Sequence, residues 1–269
     1  MAVARQAERL DFESIWLFDH FHTVPRPTDE LTFESFTALT ALAALTERVR
    51  VGHIVICNGF RNPALTAKMA GTLDVVSGGR FELGIGAGWK RDEWLAFGYG
   101  FPKTPIRLAM LRDGLEVITR MLASGHATYD GEHHGVRDAI NLPAGLQRPR
   151  MPIMVGGNGP NVTWRLAARY ADELNLDGLS PEEVRGALPV IRARCEEVDR
   201  DPASLAISVH IWWGTDAWRR SGERRRTLLR GYAEAGVTRV MGLLQASADS
   251  DEPLELLAED ARAAVPESA

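Results

Sequence analysis

The chain has only two cysteines, no excess of positive charge and no long apolar run, and each of these features excludes a class of protein. The two cysteines, Cys57 and Cys195, cannot form the disulfide framework of a small secreted domain, so a reducing cytoplasm is the expected compartment. No apolar run is long enough to span a membrane, and no apolar core follows Arg5 as a signal peptide would require.

The charge balance is slightly acidic. Lysine and arginine number 31 against 36 aspartates and glutamates, which gives a formal net charge of −5. No basic surface is implied, so we expect no nucleic-acid partner. His126, His133 and His134 surround a hairpin turn and lack the spacing of metal ligands, so we expect no metal site. The expected partner is a small-molecule substrate.

What is present is a regular alternation of strand and helix patterns over 269 residues, 45% of them hydrophobic. Such alternation predicts the α/β class with a parallel sheet, and the length suits a single barrel domain over residues 1–269. Strands are predicted at 14–18, 49–56, 81–85, 152–155, 173–176, 206–212 and 237–243. Helices are predicted at 2–10, 33–46, 63–76, 105–123, 161–171, 181–199, 223–235 and 254–265.

Seven strands are one short of a TIM (β/α)8-type barrel, and the chain opens in a helix where such barrels begin with a strand. Either the true start lies upstream of Met1 or the barrel lacks its first strand. We therefore expect a TIM-type barrel that apparently lacks the first strand at its N-terminus.

Glycines cluster at the end of one predicted strand. Gly84, Gly86 and Gly88 occupy alternate positions, which lets a flat ring or a phosphate approach the backbone, although a tightly packed turn would use them too. The spacing differs from the dinucleotide-binding fingerprint, because Trp89 and Arg91 occupy the positions where the third glycine would be needed.

A second glycine-rich loop, Gly156-Gly157-Asn158-Gly159, ends a strand just before a helix. Backbone N–H groups at a helix start suit a phosphate, whereas a plain left-handed turn is the alternative.

The pair Asp19-His20 also follows a strand, on the face where barrels place catalytic groups. Histidine titrates near neutral pH and can carry the proton that accompanies a redox step. We predict His20 as the catalytic residue, with Asp19 either orienting it or binding locally; a hydrogen-bonded structural histidine is the alternative.

Several segments resemble the luciferase-like monooxygenase superfamily, and within it the branch that uses the deazaflavin coenzyme F420. They are Trp16–Phe21, Leu42–Gly52, Phe60–Ala64 with Ala67-Lys68, Thr72–Arg80, Leu83–Trp89 and Pro152–Pro160. The resemblance implies an α/β barrel, a homodimer, F420 as the cofactor, and an oxidoreductase that transfers a hydride to or from an organic substrate. An FMN-dependent monooxygenase and a non-catalytic cofactor-binding homologue are the alternatives.

The resemblance also assigns site residues. A non-prolyl cis peptide is expected at Ile54–Val55, backing the deazaflavin ring, and the cofactor-binding residues would be Ile54, Val55, Cys57, Gly86, Gly88, Trp89, Gly156, Gly157, Asn158 and Gly159. Trp89 replaces the carboxylate of the family's sugar-phosphate dehydrogenases, which suggests an apolar wall for the substrate, although a packing role suits it equally.

Two further assignments stay open. Cys57 is expected to be a small buried residue rather than a nucleophile, because no base stands beside it in the sequence. The arginines at 219–220 and 224–226 form either a solvated helix start or a clamp for the phosphate and glutamate tail of the coenzyme.

Overall fold

The structure, a computed structural model, describes residues 2–212, 216–244, 247 and 249–264. The chain divides into two units, Trp16–Val155 and Met1–Ile15 with Gly156–Ala269. Each unit is built from strands that alternate with helices, as the sequence pattern predicts.

The unit Trp16–Val155 contains a parallel sheet in which β4 lies between β2 and β7, with β1 beside β2 and the short β3 also paired with β4. Its strands are β1 (Ser14–Leu17, which begins before the boundary of the unit), β2 (Arg50–His53), β3 (Ile56–Cys57), β4 (Phe81–Gly86) and β7 (Ile153–Gly156, which ends just beyond it). Its helices are α2 (Ser35–Leu45), α3 (Pro63–Val76), α4 (Arg91–Ala96) and α5 (Thr104–Ser124). β4 is buried along its whole length.

Local sequence explains where α3 begins and where α5 ends. The Asn62 side chain accepts a hydrogen bond from the Ala64 N–H, and Pro63 occupies the first helical turn, where its missing N–H costs nothing. α5 ends at Gly125, whose φ of +73° is a left-handed conformation that favours glycine.

A two-stranded antiparallel hairpin also belongs to this unit. It pairs β5 (His126–Asp130) with β6 (Gly135–Ile140), and it confirms the hairpin turn predicted between His126 and His133. The Asp113 carboxylate accepts the His133 N–H at 2.8 Å, so the turn is tied to α5.

The second unit contains a parallel sheet in the order β8, β9, β10. Its strands are β8 (Glu173–Asp177), β9 (Ala206–Ile211) and β10 (Arg239–Gly242). Its helices are α1 (Ala2–Arg9), α6 (Thr163–Tyr170), α7 (Pro181–Glu196), α8 (Asp216–Arg219), α9 (Glu223–Glu234) and α10 (Glu252–Ala264). α7 begins at a capping box in which Ser180 and Glu183 bond each other's backbone, with Pro181 in the first turn.

The predicted fold class, α/β of the TIM-barrel type, is confirmed. All seven predicted strands are present, and the one predicted at 49–56 is split into β2 and β3. Two short helices, α4 and α8, were missed, because four to six residues are too few to show a helical period. In the described ranges no helix has the length and apolarity that crossing a bilayer requires. Residue 265, the predicted end of the last helix, lies outside the described residues.

Candidate active site

His20 is held by a carboxylate that is distant in the sequence. His20 follows β1, and its Nδ1 lies 2.8 Å from Oε2 of Glu93 in α4. Both side chains are buried, Glu93 completely. The other oxygen of Glu93, Oε1, accepts the Phe21 N–H at 2.8 Å. Carboxylate oxygens are hydrogen-bond acceptors, so we assign the ring hydrogen to Nδ1, which donates a hydrogen bond to Oε2 of Glu93.

Asp19 belongs to a different network. Its carboxylate accepts a two-pronged pair of hydrogen bonds from Arg61, at 2.7 and 2.8 Å, together with the Ser35 hydroxyl and the Cys57 N–H. Asp19 was expected either to orient His20 or to bind locally. These contacts correspond to local binding, and Glu93 is the residue that bonds the ring of His20. Arg61 also bonds Glu34, which caps α2, so Asp19 ties the end of β1 to both α2 and β3.

The backbone between β2 and β3 contains the expected non-prolyl cis peptide, at Ile54–Val55. The Ile54 N–H donates to the Leu17 carbonyl of β1 at 2.9 Å, and Cys57 pairs with Gly86 of β4. Burial raises the pKa of the Cys57 thiol to about 12. Cys57 is therefore a buried thiol with no nucleophilic character at neutral pH, as expected.

The glycines at the end of β4 are required by packing against the protein itself. Gly88 has a φ of +77°, and a Cβ there would overlap the Cys57 sulfur and press on the Trp94 indole. A Cβ at Gly84 would overlap the carbonyl oxygen of His53. Of the two roles expected for these glycines, close packing accounts for Gly84 and Gly88. Gly86 lies buried in β4.

Trp89 is an exposed aromatic side chain beside His20. Its indole is 60% exposed, and its ring centroid lies 5.8 Å from that of His20 in an edge-on arrangement. Because a packing tryptophan would be covered, this exposure argues against the packing role, and the indole is accessible to a ligand beside His20.

Cations near this end of β4 are bound to neighbouring groups. Lys90 donates to the Pro25 carbonyl and to Asp92. Arg107 donates to the carbonyls of Gly88 and Pro102 and stacks on Phe101. Both therefore hold loops in place.

In the second unit, the loop Gly156–Gly159 runs from β7 to α6. The Asn158 side chain bonds the backbone N–H and carbonyl of Asp177, and the Gly157 N–H donates to the Asn175 carbonyl. Within the described ranges, the N–H groups of Asn158 and Gly159 have no protein acceptor. Those two N–H groups can bind an anion, whereas that of Gly157 is already used.

Polar side chains also lie near the carboxyl ends of β8 and β9 in this unit. His210 is buried, and burial lowers the pKa of its imidazole to about 4, so the ring is neutral at pH 7. Its Nδ1 lies 3.8 Å from Oδ1 of Asp177, whose pKa is raised by burial.

The arginines of α8 and α9 mostly form ion pairs within the unit. Arg220 and Arg224 bind Asp216, and Arg226 binds the buried Asp260 at 2.8 Å. Arg225 is itself buried, so the group is not simply a solvated helix start.

Two residues of the site were not identified from the sequence. Glu93 is the last of four charged residues after Trp89, and nothing local separates it from the others. Arg61 lies within a segment noted for its resemblance, although no role was assigned to it. Both act through partners 73 and 42 residues away.

Comparison with known proteins identifies the family of this chain. The family model described as luciferase-like monooxygenase matches residues 1–264. The chain belongs to this family.

Among curated relatives, the F420-dependent glucose-6-phosphate dehydrogenase of Microbacterium testaceum is 34% identical over 182 residues, covering 65% of this chain and 52% of its own. That of Intrasporangium calvum is 31% identical over 231 residues, covering 77% and 67%. The 5,10-methylenetetrahydromethanopterin reductase of Methanolobus tindarius is 27% identical, covering 79% and 60%. The chain thus spans about half to two thirds of the length of the relatives it matches.

Two solved structures share the fold. An F420-dependent secondary alcohol dehydrogenase in complex with an F420-acetone adduct superposes with a TM-score of 0.84 at 20% identity, covering 98% of this chain and 94% of that one. The coenzyme F420-dependent tetrahydromethanopterin reductase of Methanopyrus kandleri gives 0.78 at 20% identity, covering 96% and 94%. At this identity the likeness establishes the barrel fold alone.

Proposed function

We propose that this protein is an F420-dependent oxidoreductase that transfers a hydride between the deazaflavin coenzyme and an organic substrate, with residues 1–269 acting as one barrel domain. The observation that carries the proposal is the buried His20–Glu93 pair, in the same unit as the cis peptide at Ile54–Val55. The names of the curated relatives support F420 as the cofactor rather than FMN.

Features of both units suit the coenzyme. In the first, the cis peptide at Ile54–Val55 lies just before Cys57, which pairs with Gly86 of β4, and exposed Trp89 follows Gly88. In the second, the N–H groups of the Gly156–Gly159 loop suit a phosphate. F420, when bound, supplies the hydride chemistry, and the protein contributes binding, orientation and electrostatics.

The proton that accompanies the hydride is assigned to His20. Since Glu93 holds Nδ1–H, Nε2 is the nitrogen that takes a proton from the substrate or returns one to it. The carboxylate stabilises the imidazolium that forms when Nε2 is protonated. Asp19 positions the backbone at Cys57, and Trp89 provides the apolar wall beside His20.

The test compares cofactors and two histidine variants. We expect the purified protein to bind F420 more tightly than FMN and to reduce or oxidise it with a suitable substrate. His20→Asn should keep F420 affinity and lose activity by about 10²–10⁴-fold, whereas His126→Asn, a change at an exposed position of β5, should retain activity. Preference for FMN with oxygen consumption would indicate the monooxygenase, and binding of neither cofactor would refute the proposal.

We also propose a cytoplasmic homodimer. The resemblance to the family and the buried thiols of Cys57 and Cys195 support this assignment. Light scattering on the purified protein should give twice the mass of one chain, and the mass of a single chain would refute it.

A further inference from the structure

A cavity in the second unit plays no part in the proposed mechanism. It has a volume of about 410 Å³, within the range of small-molecule sites, and lies where β9 and β10 end. It is lined by Trp212, Trp218, Arg219, Ser221, Arg225, Leu243, Leu244, Glu252, Pro253 and Leu256.

Arg225 is a buried cation on this cavity with incomplete hydrogen bonding. Its side chain is 4% exposed, and its Nε donates to the Trp218 carbonyl at 3.0 Å. Its Nη1 lies 3.3 Å from Oδ2 of Asp260 without the alignment of a hydrogen bond. Nη1 itself is enclosed, so an anion in the cavity would meet the small exposed part of the Arg225 side chain and compensate the charge of its guanidinium.

Asp260 does not compensate the charge of Arg225 fully, because its single carboxylate also pairs with Arg226. Its carboxylate accepts the Arg226 Nε at 2.8 Å and the Gly222 N–H at 2.9 Å. Burial lowers the pKa of Arg225, the direction expected of a cation whose charge is incompletely compensated. The cavity therefore offers a guanidinium that can bind a second anion.

The rest of the lining is mainly apolar. Trp218 is buried and anchored by its indole N–H, which donates to the Leu243 carbonyl at 3.2 Å. Trp212, Leu244 and Leu256 add half-buried apolar surface. Glu252 and Arg219 are both exposed, so charges of opposite sign lie at the rim, and Arg225 is the buried cation of the lining.

We propose that this cavity binds an organic anion, with its carboxylate or phosphate on Arg225 and its apolar or aromatic part against Trp212, Trp218 and the leucines. The anion belongs either to the tail of the coenzyme or to the substrate. The binding chemistry is the same in both cases, and it does not depend on which reaction the protein catalyses.

The first experiment uses benzoate and its neutral counterpart benzamide as probes, with calorimetry or ligand-observed NMR on the full chain. We expect saturable benzoate binding at least tenfold tighter than benzamide. Arg225→Met should remove this preference. Arg224→Met is the matched control, because Arg224 is exposed, pairs with Asp216 and does not line the cavity.

A second variant keeps the inference testable if Arg225→Met does not fold. Leu256→Trp fills the cavity and leaves the Arg225–Asp260 pair intact, so it should abolish binding of both probes. The inference is wrong if benzoate does not saturate, if benzamide binds equally well, or if benzoate binds Arg225→Met or Leu256→Trp as it binds the original protein.

The two sources of the anion are separated by comparing F420 with its chromophore lacking the phosphate and glutamate tail. If the tail occupies the cavity, Arg225→Met weakens F420 binding at least tenfold and leaves chromophore binding unchanged. If the substrate occupies it, both affinities stay unchanged and benzoate competes with the substrate. If neither form of the coenzyme binds, the proposed function fails while the benzoate measurements still decide the anion site.

Discussion

Replacing Glu93 by glutamine tests how His20 is oriented. Glu93 presents one oxygen to the His20 Nδ1 and the other to the Phe21 N–H, each at 2.8 Å, whereas glutamine has a single oxygen. If that oxygen stays on Phe21, the amide NH₂ faces Nδ1, and the ring proton moves to Nε2. If the amide turns over, its NH₂ opposes the Phe21 N–H. Either arrangement disturbs the site.

The size of the effect follows from the bond that is lost. A hydrogen bond to a charged group contributes about 1.5–3 kcal/mol. At about 1.4 kcal/mol for each factor of ten, kcat should fall about 10- to 100-fold. KM should change little, because Glu93 is completely buried and is not assigned to substrate contact. Glu93 is thus a positioning residue, which acts on the reaction through His20.

The assay follows the coenzyme's visible absorbance during turnover, and ¹⁵N NMR of the His20 ring reports which nitrogen carries the proton. Glu82→Gln is the matched control, since Glu82 is a buried carboxylate of the same unit that pairs with Arg50. The reasoning is refuted if Glu93→Gln keeps kcat within about twofold of the original protein, or if Glu82→Gln loses as much.

Three further predictions concern stability and reactivity. Gly88→Ala should destabilise the fold about 1–3 kcal/mol more than Gly178→Ala in urea unfolding, because both have positive φ but only Gly88 would place its Cβ against other atoms; equal losses would contradict this. Burial lowers the pKa of His53 from 6.5 to about 4, so unfolding takes up a proton below pH 6.5, and stability is lost as pH falls from there towards 4. The loss should be about 2 kcal/mol between pH 7 and 5, and His53→Leu should remove it from the urea-unfolding pH profile; an unchanged profile would contradict the assignment. Cys57 and Cys195 are buried, with raised thiol pKa values, so neither should react with a thiol reagent at pH 8 before denaturant is added.

Most of the secondary structure could be predicted because its signals are local. Asn62-Pro63 starts α3, the capping box at Ser180 starts α7, and Gly125 ends α5, each through a contact within a few residues. The parallel strands follow from the alternation of short apolar segments with helices. The short helix α4, which contains Glu93, carries no such signal.

The site was predicted only in part. His20, the cis peptide and the packing of Cys57 came from the resemblance and from positions at strand ends. The roles of Glu93 and Arg61 did not, because the sequence contains several charged residues nearby and does not indicate which of them becomes buried. At the cavity, Arg225 pairs with Asp260, and Asp260 also binds Arg226, which lies 34 residues earlier in the sequence.

The sequence by itself determined the fold class, the succession of strands and helices, and the strand ends where binding groups stand, because periodicity, caps and turns act over a few residues. Only the tertiary structure decided the partners of the buried charges: His20 with Glu93, Asp19 with Arg61, and Arg225 with Asp260. A buried charge needs a partner, and packing between distant segments determines which group is close enough to provide it.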